Sequence, residues 1–301
     1  MTLQIAYFTT RDGISIRWGY TAADVSPGRG TVLLLNGRTE YMEKYQEVFA
    51  ALRQRGYAVY SCDWRGQGLS GRMLSDSQKG YVRRFDDYLE DLDQLMGIVR
   101  DQRPPSPFII IGHSMGGHLA LRFIERQPGL FERGVVTAPM IDIQVPFFLP
   151  RRLLRWLVHL AVDHGKEGDY ILGTGGFGDR DRRYDGNPLT SDRARFQRNV
   201  DMIQQDPRLA LGGVTYGWLA AALASIKWVT SPAFVQSLEL PLLMVTASEE
   251  RIVSRDAQER FYRQAPDCRL VSIEGARHEL LVETDERQAQ FWEVFDRFVM
   301  A

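Results

Sequence analysis

The residues Gly112-His113-Ser114-Met115-Gly116 stand between an apolar run, Phe108 to Ile111, and an amphipathic stretch, Met115 to Arg126. A serine flanked by glycines at this spacing, after a buried strand and before a helix, has the pattern of a nucleophile elbow. The sharp turn puts the serine in a strained backbone conformation, and glycines two residues before and after it remove Cβ atoms that would collide where strand meets helix. The chemistry served is acyl transfer by an activated hydroxyl, with Ser114 as candidate nucleophile.

Such a hydroxyl is a weak nucleophile at neutral pH and needs a base, which an acid must orient. Enzymes with a serine elbow of this kind supply the acid and then the histidine later in the chain. Of the five histidines, His113 lies in the elbow, His118 in the helix after it, and His159 and His164 in a region with no strand pattern. Only His278 follows the last strand pattern, in Glu274-Gly275-Ala276-Arg277-His278-Glu279, on a loop that can reach Ser114. The acid is expected after the preceding apolar run, Leu242 to Ala247. There Glu250 is preferred to Glu249, and Asp256, inside the next helical pattern, is the third choice. An oxyanion needs two preorganised N–H donors. The amide of Met115, just after the serine, and that of Arg38, in the turn Asn36-Gly37-Arg38, occupy the expected places.

The elements that must position these groups follow from hydrophobic patterning. Strand-like runs occur at Thr31 to Leu35, Ala58 to Cys62, Phe108 to Ile111, Val135 to Thr137, Leu242 to Thr246 and Leu270 to Ile273. Helical patterns alternate with them at Lys44 to Arg55, Phe85 to Arg100, Met115 to Arg126, Arg255 to Gln264 and Glu286 to Val299. This alternation predicts an α/β fold with a mostly parallel central sheet and helices on both faces. Leu3 to Thr9 and Ser15 to Tyr20 read as an antiparallel hairpin at the sheet edge. Strand signal is lost from Pro139 to Leu240, where Arg151 to Val162, Ser191 to Gln205 and Val214 to Ile226 read as helices. The expected organisation is a catalytic domain of residues 1–138 and 241–301 with a helical cap inserted at 139–240. Gly173 to Gly178 is glycine-rich, but no strand feeds it, so it reads as an exposed loop and not a phosphate cradle.

Composition narrows the function classes. With 37 Lys plus Arg against 38 Asp plus Glu, the 301-residue chain has a formal net charge of -1, so no overall positive field draws nucleic acid. Two cysteines, Cys62 and Cys268, are too few for a disulfide framework and fit a reducing, cytoplasmic setting. The first residues lack a signal-peptide pattern, and no apolar run approaches the roughly 18–20 residues of a membrane span.

Four motifs taken together, Asn36-Gly37-Arg38-Thr39-Glu40, Asp63 to Ser70, Gly112 to Gly117 and Gly275 to Glu279, resemble those of bacterial lysophospholipases related to monoacylglycerol lipases. The resemblance extends over nearly the whole chain, including Asn187 to Trp218 in the insertion. It implies the α/β-hydrolase fold, with Ser114 as nucleophile, Glu250 as acid, His278 as base and the amides of Arg38 and Met115 as oxyanion donors. The Asp63 to Ser70 loop carries no catalytic role. The implied activity is hydrolysis of a carboxylic ester of a single-chain lipid through an acyl-enzyme, with no metal or organic cofactor. A small-ester carboxylesterase or serine aminopeptidase is the alternative, and an inactive lipid-binding module the remote one. Phe147, Phe148 and Leu149 precede a helix carrying Arg152, Arg155 and His159 on one face and leucines around the rest. Such a helix fits shielding of an acyl chain, with Arg152 and Arg155 meeting a lipid phosphate or an anionic membrane surface. It equally fits plain packing of a cap helix.

Overall fold

The computed structural model describes residues 3–144 and 150–300, so Phe147, Phe148 and Leu149 lie outside the described residues. The expected edge hairpin is formed by β1 (Gln4–Thr9) and β2 (Ser15–Thr21), which pair antiparallel. β2 runs antiparallel to β4 (Tyr57–Cys62), and β3 (Gly30–Leu35), β5 (Phe108–His113), β6 (Arg133–Thr137), β7 (Leu242–Ala247) and β8 (Cys268–Ile273) continue the sheet in parallel. The strand order is β1-β2-β4-β3-β5-β6-β7-β8. The chain leaves β3 for β4 on one side and later returns to β5 on the other. A crevice is therefore expected beyond the carboxyl ends of β3 and β5, at this switch point. Register places Leu35 beside Gly112 and His113 beside Thr137, so the ends of β3, β5 and β6 finish level.

β3, β4 and β7 are buried at every residue, as continuous apolar strands covered on both faces must be. The covering helices are α1 (Gln46–Gln54), α2 (Phe85–Asp101), α3 (Met115–Arg126), α8 (Arg255–Gln264) and α9 (Asp285–Met300), each within two residues of its sequence pattern. The Lys44 to Arg55 pattern begins instead as a 3-10 turn at Met42–Tyr45, with α1 starting at Gln46. Lys44 is drawn into a buried contact with Glu40 and Glu279, which holds the first turn tight.

Between β6 and β7 the described residues form α4 (Arg151–Asp163), α5 (Arg193–Gln205), α6 (Tyr216–Val229) and the short α7 (Pro232–Gln236), with no strand longer than isolated bridges. Local sequence sets where these helices begin. The side chains of Asp192, Thr215 and Ser231 accept N–H groups from Arg195, Trp218 and Phe234 at three of the N-termini. α7 is too short for periodicity to reveal, and only Ser231-Pro232 marks its start. Trp218, Ala222 and Val229 of α6 and Phe234 and Val235 of α7 belong to the same apolar core as the sheet. Among the described residues no helix is long and apolar enough to cross a membrane.

Candidate active site

Ser114 sits between β5 and α3 with φ +53° and ψ -116°, a conformation that costs a non-glycine residue about 1–3 kcal/mol and persists only where its surroundings enforce it. The enforcement is visible. The Ser114 N–H donates to the Thr137 carbonyl at 2.9 Å, and the Ser114 carbonyl accepts N–H groups of His118 and Met140, each at 3.0 Å. A Cβ on Gly112 would lie 2.4 Å from the Gly116 carbonyl oxygen, and one on Gly116 would lie 2.3 Å from that of Leu35. Both glycines are required by close backbone approach, and Gly116 lets α3 start directly against the end of β3.

The loop after β8 brings the His278 Nε2 to 2.9 Å from Ser114 Oγ, while His278 Nδ1 lies 2.7 Å from Glu250 Oε2. The tautomer with hydrogen on Nδ1 satisfies all three groups: Nδ1–H donates to Glu250, and Nε2 accepts the serine O–H. The other Glu250 oxygen accepts N–H groups of Ile252 at 2.7 Å and Val253 at 3.2 Å. Burial alone would raise the Glu250 carboxyl, but hydrogen bonding and charge from His278, with the two amides, outweigh it and hold it below the usual range. Glu249 is half-exposed and lies 3.7 Å from Arg277, and Asp256 is exposed in the first turn of α8. Neither hydrogen-bonds the imidazole.

Arg38 lies just beyond the end of β3, and Met115 opens α3. Among the described residues neither backbone N–H is taken by another hydrogen bond. The surrounding loop is braced from several directions. Trp64 Nε1 donates to the Asn36 carbonyl at 2.8 Å, and the Thr39 N–H donates to the Gln67 side chain at 2.8 Å. The Asp63 to Ser70 loop thus supports the turn without touching the candidate triad. Asp63 itself accepts from Arg17 and from the Met42 and Leu69 amides.

A buried charge cluster adjoins this turn that sequence reasoning did not anticipate. Glu40 accepts from the Gly37 N–H, the Tyr45 hydroxyl and Lys44, and Lys44 also donates to Glu279, the neighbour of His278. One ammonium therefore ties the Asn36–Glu40 turn to the histidine loop. Burial pushes both carboxyls up. At Glu40 the charge of Lys44 and the Tyr45 hydrogen bond win and keep it ionised, whereas Glu279 stays raised. Glu40 and Lys44, four residues apart, are a visible helix-spacing pair. The Lys44–Glu279 contact spans 235 positions and leaves no local trace.

Ser114, His278, Arg38 and Met115 line one cavity of about 620 Å³, within the range of pockets that enclose a small ligand. Its walls are mainly aliphatic, including Met140, Ile143, Val158 and Leu219. The stretch between β6 and β7 also supports the histidine loop, whose Glu279 N–H donates to the Leu189 carbonyl at 2.8 Å. From α4 the lining side chains are Leu154, Leu157 and Val158. Arg152 is exposed, Arg155 is half-buried, and neither lines the cavity.

The serine aminopeptidase S33 family matches this chain over residues 26–285. Lysophospholipase L2 of Escherichia coli (strain K12) is 34% identical over 293 residues, covering 93% of this chain and 82% of that protein. Among solved structures, a soluble variant of monoglyceride lipase from Saccharomyces cerevisiae superposes with a TM-score of 0.76 at 20% identity, covering 99% of this chain and 96% of that one. A thermostable carboxyl esterase from Bacillus coagulans gives 0.75 at 14% identity, covering 99% and 98%. With the match across most of its length and the doubly covered parallel sheet around a serine elbow, this chain belongs to the serine aminopeptidase S33 family and is a hydrolase of the α/β-hydrolase fold.

Proposed function

We propose that this protein hydrolyses the carboxylic ester of a single-chain lipid, a lysophospholipid or monoacylglycerol, with Ser114 as nucleophile. The observation that carries the reading is the line Ser114–His278–Glu250 opening into a cavity with aliphatic walls. In the reaction His278 Nε2 takes the Ser114 proton as Oγ attacks the ester carbonyl carbon. The resulting oxyanion is met by the Arg38 and Met115 amides, and Glu250 supports the imidazolium. The imidazolium then protonates the leaving alcohol. Water, deprotonated by the same nitrogen, attacks the acyl-enzyme and releases the fatty acid. The relatives named lysophospholipase and monoglyceride lipase support this reading.

The cavity argues against an aminopeptidase. Recognition of a substrate ammonium calls for a carboxylate. The acidic side chains lining the cavity, Glu40 and Glu279, are both engaged by Lys44.

The proposal includes 139–240 as a cap over the cavity and peripheral contact of α4 with a membrane. Trp156 is 58% exposed, Leu153 43% and Leu160 39%. Leu157 and Leu172 are exposed and also line the cavity, so its mouth lies beside this apolar surface. With Arg152 and Arg155 outside the cavity, their proposed part is contact with headgroups at the lipid surface.

The test is kcat/KM across lysophospholipids, monoacylglycerols, short p-nitrophenyl esters and aminoacyl amides. Single-chain lipids are expected to lead, and a lead for aminoacyl amides would reverse the assignment. Arg152→Ala with Arg155→Ala is expected to raise KM for lysophospholipid and leave a short neutral ester nearly unchanged. Equal losses on both would reduce α4 to a structural part.

A further inference from the structure

Buried cations in this protein are generally matched by carboxylates. Arg17 lies between Glu43 and Asp63, Arg65 between Asp12 and Asp91, and Lys44 between Glu40 and Glu279. Arg38 departs from this pattern, as does Arg72, which donates to the Gly68 and Arg208 carbonyls but does not line the cavity. The Arg38 Nη2 donates to the carbonyls of Gly212 and Gly213, each at 2.8 Å, and its guanidinium carbon lies 5.3 Å from the centroid of the Trp218 ring. Among the described residues no carboxylate pairs with it, its Nε is buried without a partner, and Nη1 makes no hydrogen bond. Burial pulls it down to about 10, and the neighbouring phenols of Tyr88 and Tyr170 are neutral and supply no counter-charge. At neutral pH it remains a cation.

A guanidinium kept deep in a protein without a counter-ion is costly, and two carbonyls and an indole face offset only part of that cost. The location gives the charge a use. Arg38 is the one arginine or lysine among the described residues lining the cavity. The same residue supplies the amide proposed to hold the ester oxygen. In a lysophospholipid the phosphate is a few bonds along the glycerol from that ester, and planar guanidinium suits its paired oxygens.

We propose that the Arg38 side chain is the anion-recognising group of this cavity and takes the phosphate oxygens of a lipid headgroup, an assignment that rests on the single-chain lipid reading above. Recognition of phosphate inside the cavity then belongs to the turn after β3, not to Arg152 or Arg155 on the cap helix. The headgroup phosphate supplies the counter-charge that the protein withholds, and an uncharged monoacylglycerol leaves the guanidinium unmatched. The protein thereby discriminates between two lipids with the same acyl chain.

The test uses non-hydrolysable ether lipids, so it reads binding apart from turnover. A 1-O-alkylglycerol and its 3-(methyl phosphate) ester, with the same alkyl chain and both below their micellar concentrations, compete with hydrolysis of a soluble p-nitrophenyl ester. In the wild type the phosphodiester is expected to have an inhibition constant about ten- to a hundredfold lower, the scale of a hydrogen bond to a charged group. That ratio is expected to fall to near one in Arg38→Gln and to be partly kept in Arg38→Lys. Arg38→Met, which keeps an unbranched side chain against Trp218, is the second variant if Arg38→Gln does not fold. A wild-type ratio near one with both lipids competing would overturn the Arg38 assignment while leaving the lipid reading intact. Competition by neither lipid would overturn both. A ratio that survives in Arg38→Gln or Arg38→Met would place phosphate recognition elsewhere. Inorganic phosphate competing as strongly as the lipid phosphodiester would overturn the headgroup assignment.

Discussion

Ser114, His278 and Glu250 are joined by hydrogen bonds of 2.9 and 2.7 Å, so in the proposed reaction they act as one unit. Ser114→Ala and His278→Ala are each expected to lower kcat by several orders of magnitude, with the double variant hardly worse than either single one. Retention of more than about a tenth of wild-type turnover by a folded single variant would remove that residue from the mechanism. Glu250→Gln is expected to be far more damaging than Glu249→Gln. The first loses the carboxylate that fixes the imidazole tautomer, and the second alters only a half-exposed group near Arg277. Kinetics on a short ester decide, and the reverse order would move the acid to Glu249. The proposed nucleophile, acid and base could be placed from the sequence because each lies within five residues of the end of a strand, where local pattern gives the position. The supporting charges were not. Glu279 matters through Lys44, far away in sequence, and the Arg38 side chain is defined by carbonyls of Gly212 and Gly213.

At the scale of elements, strands and long helices were legible because their hydrophobic periods are strong, and boundaries failed where tertiary contacts override them. The Lys44 to Arg55 pattern opens as a 3-10 turn where Lys44 meets Glu40 and Glu279, and α7 rests on a single Ser-Pro start signal. The tightest fit is between α3 and the end of β3. A Cβ on Gly116 would lie 2.3 Å from the Leu35 oxygen and 2.4 Å from that of Asn36, and backbone cannot yield as a flexible side chain does. Gly116→Ala is expected to cost about 1–3 kcal/mol or more. In any folded fraction it is also expected to lower kcat on a short ester, because it separates the turn carrying Arg38 from the helix carrying Met115. Gly97, inside α2 with nothing within 4 Å of an added Cβ, is the control. Gly97→Ala is expected to raise stability by about 0.5–1 kcal/mol and leave kcat alone. Thermal melts and short-ester kinetics on the two variants check this, and equal behaviour would contradict it.

Across the whole molecule, buried histidines link fold stability to pH. Burial pushes His113 down to about 4 and His118 down to about 3, from an ordinary value near 6.5. His118 is held neutral between the Met140 carbonyl and the Ser225 hydroxyl. Because the folded values lie below the unfolded ones, this stability is present in full above about pH 6.5. It is lost as pH falls toward 4 and 3, by up to roughly 1.4 kcal/mol per pH unit for each group. The melting temperature is expected to fall steadily from pH 7 to pH 4.5, and a flat profile would contradict the assignment. The same whole-chain view governs function, because Ser114, the histidine loop and the wall from α4 converge on one cavity from distant parts of the sequence. Ser114 as the acylated nucleophile is tested most directly by covalent labelling with a long-chain fluorophosphonate, followed by peptide mass mapping, with and without a competing lysophospholipid. One adduct is expected, on Ser114, slowed by the lipid, much slower in His278→Ala and absent in Ser114→Ala. Labelling at another residue, or lysophospholipid hydrolysis that survives in Ser114→Ala, would contradict it.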